Sequence, residues 1–405
     1  MPREKKVENY DVIIIGGGAG GLTAGIYCGR ARLKTLLIEK SLVGGLATYT
    51  NEIENYPGFP DGTTGLGLMK LFEIQAKKFG VKFKLTDVKS VNFEGDVKVV
   101  ETFRNIFQAK VVIVASGGRP RTTGAKNEEG FLFDKGISFC ATCDAAANTD
   151  KTVVVIGSGD AAIEEGMFLT KFAKEVIVSV IHDEGKMDCN EIAKEAALNN
   201  PKMTFMWNST VDSFEGEGHL EKVVLKNVKT NELIPLVCDT CFEFIGYLPN
   251  TEIFEGKLDI TNRGFVLVNE NKETNISGVY AIGDVTEKFL KQVATAVGDG
   301  AIAGFAAEKY IAESEIFENQ ILSKKMSVSF VYNAIDADSR NYISTVKKLE
   351  AEKGLKVNTI DVYKSTGLAD RLGVKDFPTV VYVKDDAVVK TVAGLPSFDK
   401  LVANL

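Results

Sequence analysis

Two thiols spaced two residues apart and followed at once by a carboxylate form the stretch of this chain best equipped for chemistry: Cys140-Ala141-Thr142-Cys143-Asp144. Thiol–disulfide exchange needs a thiolate to attack and a second cysteine in reach to resolve the mixed disulfide. An adjacent carboxyl can carry the proton if burial raises its pKa. The same spacing also fits a buried thiol pair or half a zinc site, but no supporting pair lies at zinc spacing, so no metal is expected. A second pair, Cys238-Asp239-Thr240-Cys241, sits in the apolar run Leu236 to Ile245. It reads as core cysteines acting as small hydrophobes, with an auxiliary redox pair as the alternative. Cys28 and Cys189 have no sequence partner and read as structural.

A glycine-rich nucleotide loop lies on either side of this stretch. Asp11 to Ile15 is a short apolar run typical of a strand buried on both faces. Gly16 to Gly21 follows, then a helical segment from Leu22 to Ala31 and a strand from Thr35 to Ile38 that ends at Glu39. Strand, glycine turn, helix, strand and acid make a dinucleotide-binding unit. Gly16 permits the tight turn, Gly18 admits a pyrophosphate to the backbone, and Gly21 allows close helix packing. Glu39, 23 residues after Gly16, is placed to accept from an adenosine ribose. The logic repeats 141 residues later. Thr152 to Ile156 is the strand, Gly157-Ser158-Gly159-Asp160-Ala161-Ala162 the turn, Ile163 to Phe172 the helix and Glu175 to Ile181 the next strand. The second unit reads as an insertion, because Ala281-Ile-Gly283-Asp284-Val285 later returns to an apolar strand ending in an acid. One use of two such folds is a flavin in one and a nicotinamide in the other.

The elements that must position these groups follow from the rest of the chain. Residues 44–67, rich in Gly, Asn and Pro, read as ordered loop, and Leu66 to Phe79 as an amphipathic helix. Val81 to Val114 reads as antiparallel strands. From Ile311 to Lys325 the chain turns polar and reads as a linker. Beyond it, strands at Val328–Tyr332, Leu355–Val362, Pro378–Val383 and Val388–Val392 alternate with helices at Arg340–Lys353 and Thr366–Leu372. A last helix starts at Ser397. The expected fold is therefore α/β, with two Rossmann-like units, one inserted in the other, and a small C-terminal α/β domain. At 405 residues with 45% hydrophobic and 25% charged residues, the composition is that of a globular protein of several domains. A net charge of −7 argues against nucleic acid. No apolar run reaches a membrane span, and the polar start Met1 to Tyr10 shows no secretory signal, so a cytoplasmic location is expected.

The order of motifs resembles the low-molecular-weight thioredoxin reductase family of FAD-dependent disulfide reductases. The matching pieces are Gly16 to Gly21, Asn55-Tyr-Pro-Gly58, Cys140 to Asp144, Gly157 to Glu165, Phe244-Ile-Gly246 with Pro249-Asn-Thr251, and Gly283-Asp284-Val285 with Lys291-Gln292. The resemblance implies FAD in residues 1–121 and 250–320, a pyridine-nucleotide-type domain at 122–249 carrying the cysteines, and a homodimer. It implies that Gly16, Gly18, Gly21, Glu39, Gly45, Asn55, Asp284, Lys291 and Gln292 hold FAD. By the same carry-over Cys143 faces the flavin, Cys140 attacks the substrate disulfide and Asp144 handles the proton. The implied partner is a thioredoxin-like or peroxiredoxin-system protein bearing a disulfide.

Two departures stand against this likeness. Family members clamp the 2′-phosphate of NADPH with arginines after the second strand, whereas this chain has His182-Asp183-Glu184. Asp183, 26 residues after Gly157, suits free ribose hydroxyls and repels a 2′-phosphate. NADH is thus favoured over NADPH, with Gly157, Gly159, Asp160, Ala162, Asp183 and Glu184 as the contacts. A vestigial nicotinamide site fed by another donor such as ferredoxin stays open, as does an alkyl hydroperoxide reductase-type flavoprotein. The second departure is the tail. Residues 326–405 resemble a thioredoxin domain lacking its first strand and helix, with Phe377-Pro378-Thr379 matching the cis-proline loop. Where thioredoxin carries its cysteines, this chain has Asp336-Ala337-Asp338-Ser339, so the tail is redox-inactive. A docking role for it is expected, and a redox-regulated docking protein is the alternative of another class.

Overall fold

The computed structural model describes residues 5–49, 53, 55–132, 134–322 and 325–405. Parts of the loop expected at 44–67 (residues 50–52 and 54) lie outside the described residues. Two compact units divide at Phe305–Ala306.

The first unit starts with β1 (Lys6–Ile15), whose Val12, Ile13 and Ile14 are wholly buried. The chain runs on through α1 (Ala19–Arg30), β2 (Thr35–Glu39) and α2 (Gly65–Lys78), which starts on the Thr64 hydroxyl as N-cap. Next come β3 (Lys82–Leu85), β4 (Val88–Asn92), β5 (Lys98–Thr102) and β6 (Asn105–Val114). The expectation of antiparallel strands over 81–114 holds for β4 to β6 only, because β3 pairs parallel with β2. Both glycine-loop helices begin three residues before the sequence suggested, α1 at Ala19. Residues close to the tight turn already carry helical backbone, and the apolar periodicity that marks a helix starts only later.

A short antiparallel ribbon of β7 (Gly118–Pro120) and a later strand marks where the chain leaves the first sheet. The inserted segment contains β8 (Ile137–Ser138), α3 (Ala141–Asp144), β9 (Thr152–Ile156), α4 (Asp160–Leu169), β10 (Glu175–Ser179), α5 (Glu191–Leu198) and β11 (Met203–Met206). It continues with β12 (Ser209–Glu215), β13 (Lys222–Asn227), β14 (Leu233–Val237) and β15 (Thr240–Glu243). The ribbon closes with β16 (Tyr247–Pro249), and β17 (Val279–Ala281) then returns to the first sheet. That sheet has the order β3-β2-β1-β6-β5-β4, with β17 added on β6. The inserted sheet is β11-β10-β9-β15-β8, all parallel, covered on one face by the antiparallel trio β12-β13-β14.

Helix α6 (Val293–Ile316) spans the division between the units, and a π turn, Phe317–Ile321, follows it. The linker expected at 311–325 is therefore mostly helical. Ile311 and Ile321 are buried, and Ile316, Phe317 and Leu322 pack on the core of the second unit. Polar residues on the outer face gave the segment its linker-like composition; residues 323 and 324 lie outside the described set. The second unit then runs β18 (Ser327–Tyr332), α7 (Ala337–Lys353), β19 (Lys356–Asp361), α8 (Thr366–Arg371), β20 (Thr379–Lys384), β21 (Ala387–Ala393) and α9 (Phe398–Val402). Its sheet has the order β19-β18-β20-β21, parallel at the first pair and antiparallel at the other two. The Phe377–Pro378 peptide is cis. Among the described residues no helix is long and apolar enough to cross a membrane.

Candidate active site

The cysteine pair sits where β8 gives way to the short helix α3. Cys140 is the residue before the helix, and its carbonyl accepts from the amides of Cys143 (3.3 Å) and Asp144 (3.2 Å). This turn brings the two sulfurs together as a disulfide, with Cα atoms 5.3 Å apart. Asp144 follows on the same turn. The Ser138 hydroxyl donates to its Oδ2 at 2.5 Å. Burial pushes the Asp144 carboxyl above the usual carboxylate range, and the Ser138 hydrogen bond only partly opposes this. A half-buried carboxyl beside a disulfide, with its proton affinity raised by burial, is suited to protonate a leaving thiolate.

The Gln292 amide, one residue before α6, faces the pair. Its Nε2 donates to Thr142 Oγ1 at 3.4 Å and lies 4.0 Å from Cys140 Sγ. Asn55 Nδ2 in turn donates to Gln292 Oε1 at 3.2 Å. The structure thus brings together the cysteine stretch of the insertion and two residues that flank the first glycine loop in space rather than in sequence. Farther in, Asp284 is half-buried on a 3-10 turn, Gly283–Val285. Tyr247 donates to its Oδ2 at 3.3 Å, while its Oδ1 is buried without a hydrogen-bond partner among the described residues. Lys291 lies over the ring of Phe265, 4.5 Å from its centroid, and its ammonium pKa is lowered by burial.

At the first glycine loop a Cβ on Gly16, whose φ is +110°, would stand 2.1 Å from the Ala115 carbonyl oxygen, so only glycine fits. Glu39 is buried at the end of β2 and accepts from the amides of Gly17 (2.8 Å) and Ser41 (2.9 Å). Gly18 bridges to Gly44, and a Cβ on Gly45 would sit 3.3 Å from the Gly18 Cα. Gly21 lies inside α1, packed on Gly16. An orphaned, buried Asp284 oxygen and a backbone cradle with no side chains match what a flavin dinucleotide needs, an acceptor for a hydroxyl and room for the pyrophosphate. These residues fit FAD.

The second loop is arranged differently. Gly157 turns with φ +131°, Gly159 precedes α4, and Ala162 is buried within that helix. Three of the aspartates here already have partners. Asp160 accepts from Asn190 N (2.7 Å) and Nδ2 (2.9 Å). Asp183 pairs with Lys229, and that contact holds its carboxyl below the usual range. Asp188 accepts from Ser158 at 2.9 Å and lies 2.8 Å from His182 Nε2. Glu184 is exposed. Sequence reasoning missed Thr142, Tyr247, Asp188, Asn190 and Lys229. Lys229 lies 46 residues from its partner on the β13–β14 turn, beyond any local signal. Tyr247, adjacent to the matched Phe244-Ile-Gly246, was the most reachable of them.

The other thiols stand apart from this chemistry. Cys238 and Cys241 are buried in the core under β12 to β14, and burial pushes Cys238 up to about 12 and Cys241 well above the usual thiol range. Cys28 and Cys189 are also buried and take part in no disulfide among the described residues. Among the described residues no three His, Cys, Asp or Glu side chains gather as a metal site would need.

Comparison with known proteins agrees with this geometry. The model of the pyridine nucleotide-disulphide oxidoreductase family matches residues 10–300. The chain is 40% identical over 308 residues to a thioredoxin reductase of Peptoclostridium acidaminophilum, covering 75% of this chain and 97% of that protein. It is also 40% identical over 313 residues to a thioredoxin reductase of Bacillus subtilis, covering 76% of this chain and 96% of that one. The crystal structure of thioredoxin reductase from Streptococcus pyogenes superposes with a TM-score of 0.71 at 36% identity, over 75% of this chain and 98% of that chain.

Proposed function

The chain belongs to the pyridine nucleotide-disulphide oxidoreductase family, in its thioredoxin reductase branch, as an FAD-dependent disulfide oxidoreductase, and from that premise we propose that it reduces a protein disulfide through Cys140 and Cys143 with NADH as the favoured donor. The observation that carries this reading is the Cys140–Cys143 bridge held against Gln292, on the side where Asp284 and Asn55 would receive the flavin. Glu39 and the Gly16–Gly21 backbone would hold the adenosine end, and Asp284, Lys291 and Gln292 the flavin end.

FAD, when bound and reduced by the donor, would supply the two electrons that open the Cys140–Cys143 bond. The freed Cys140 thiolate attacks one sulfur of the partner disulfide and displaces the other as a thiolate, which Asp144 protonates. Cys143 then attacks Cys140 Sγ, re-forms the intramolecular disulfide and releases the second partner thiolate, which takes a proton from solvent. Two electrons and two protons pass to the partner in all. A thioredoxin-like or peroxiredoxin-system protein is the partner class that the relatives named thioredoxin reductase support.

The donor preference rests on Asp183 and Glu184. Asp183 is paired only with exposed lysines, a screened contact that ribose hydroxyls can replace, and its charge opposes a 2′-phosphate. The test is anaerobic titration of the flavin-loaded protein with NADH, NADPH and a low-potential donor in parallel. Bleaching by NADH at concentrations about a hundredfold below those needed of NADPH is expected. Bleaching by the low-potential donor alone would make the second nucleotide fold vestigial.

For the tail we read a thioredoxin-like module without thiols. Its strand order, the cis Phe377–Pro378 peptide and Asp336 capping α7 in place of a cysteine support this. Pairing of Val331 with Thr379, Tyr332 with Asp361 and Thr379 with Ala393 puts the exposed Ile335, Tyr363 and Phe377 at one end of the sheet. That end is the surface through which the module would select a partner. A homodimer remains the assembly expected for the whole.

A further inference from the structure

We infer that Asp299 is a positioning residue for flavin binding: it holds Lys288 away from Asp284 and so keeps the buried Asp284 Oδ1 available to accept from a cofactor hydroxyl. The inference rests on the reading of Asp284 as an FAD contact. Asp299 lies on α6, buried, and is the hub of a small charged knot. Its Oδ2 accepts from the Gly283 amide at 2.9 Å, the residue immediately before Asp284, and is ion-paired with Lys288. Its Oδ1 is paired with Lys272 at 3.0 Å. Both lysines are largely buried, so neither can turn to water without exposing the knot.

The consequence lies one residue away. Asp284 is half-buried and feels the charges of Lys288 and Lys291; among the described residues Tyr247 donates to its Oδ2, and its Oδ1 has no hydrogen-bond partner. A buried carboxylate oxygen left open beside a buried ammonium is unstable unless something else holds that ammonium. Asp299 does so. With its charge removed, Lys288 is free to turn to Asp284, whose carboxyl already feels its charge, and an ion pair there would consume the acceptor that a flavin hydroxyl requires. The Gly283 amide bond has a second effect, since it fixes the 3-10 turn that aims Asp284, together with the Thr286 hydroxyl on the Gly283 carbonyl at 2.8 Å.

Full-length protein carrying Asp299→Asn, Lys288→Met and both changes together tests this, read by flavin content after gel filtration, by FAD affinity from flavin fluorescence, and by far-UV circular dichroism. Asn keeps an acceptor for the Gly283 amide but loses the charge. The single Asp299→Asn variant should bind FAD about tenfold or more weakly. Lys288→Met alone should bind as the parent does, and the double variant should return to within about threefold of the parent. An Asp299→Asn variant that binds FAD like the parent overturns the inference. So does a double variant that loses FAD, or the fold, along with the single one, because Asp299 would then be a structural residue only. A parent chain that takes up no FAD would instead sink the flavin reading itself, and the inference with it.

Discussion

Among single residues, Asp144 carries the sharpest expectation. Burial raises its pKa, so the folded protein holds that proton to higher pH than an exposed aspartate would. A general acid of this kind loses function as pH rises through its folded pKa. Disulfide turnover should therefore show an alkaline-falling limb that is missing in Asp144→Asn, whose rate should be roughly a hundredfold lower. A limb unchanged in the variant would assign it to another group. The thiols give a second expectation. Of six cysteines, Cys28, Cys189, Cys238 and Cys241 are buried, and burial raises the thiols of the last three. The reduced native protein should show two rapidly reacting thiols with an aromatic disulfide reagent, and six after unfolding. Fast reaction at Cys238 or Cys241 would revive an auxiliary redox pair. At this scale the sequence was informative where chemistry demands a residue type at fixed spacing, as in Cys140 to Asp144 or Gly16. It was silent on Lys229 beside Asp183, Gln292 beside Thr142 and Asp299 beside Lys288, because those contacts join positions 46, 150 and 11 residues apart, in different elements.

The elements read well in kind and less well at their ends. The apolar runs in β1 (Val12–Ile15), β9 (Val153–Ile156) and β10 (Val176–Val178) announced themselves as buried parallel strands. Short, partly exposed β3 did not reveal its partner, since its alternation is equally that of an antiparallel strand. α6 hid its length because its last turns are charged outside and apolar inside. Between the elements, the chain crossings at the base of the insertion hold a buried carboxyl pair. Glu128 accepts from Thr123 N (2.6 Å), Thr123 Oγ1 (2.5 Å) and Gly124 N (2.8 Å). Glu243, at the end of β15, lies against it with both oxygens buried, and the Thr123 backbone only partly offsets that cost. Burial first, then the neighbouring Glu128, pushes Glu243 up to about 9 from an ordinary 4.5. A raised carboxyl binds its proton more tightly folded than unfolded. The stability it contributes is complete below pH 4.5 and is lost as pH rises toward 9. Glu243→Gln removes the proton requirement, so its melting temperature at pH 9 should exceed the parent's by roughly 3 °C or more and converge with it near pH 5. Parallel curves for the two proteins would mean that Glu243 takes no part.

As a whole, the molecule is a disulfide reductase fold with an added unit that has no cysteine. Matching ends at residue 300 for the family model, while the compact division falls at Phe305–Ala306, so the second unit lies outside what that family defines. Truncation after Ile316, the end of α6, should leave flavin content and reduction of a small aromatic disulfide within about twofold of the parent. It should raise KM for the protein partner by about tenfold, the size of a lost docking contact. Equal KM values would leave the tail without a role in partner choice. The central claim, that electrons leave only through Cys140 and Cys143, is met most directly by Cys143→Ser. Its flavin is expected to bleach with the donor as in the parent, its protein-disulfide turnover to fall to background, and one equivalent of partner to be trapped on Cys140 as a mixed disulfide seen by peptide mapping. Sustained turnover, or a mixed disulfide mapped to Cys238 or Cys241, would contradict it.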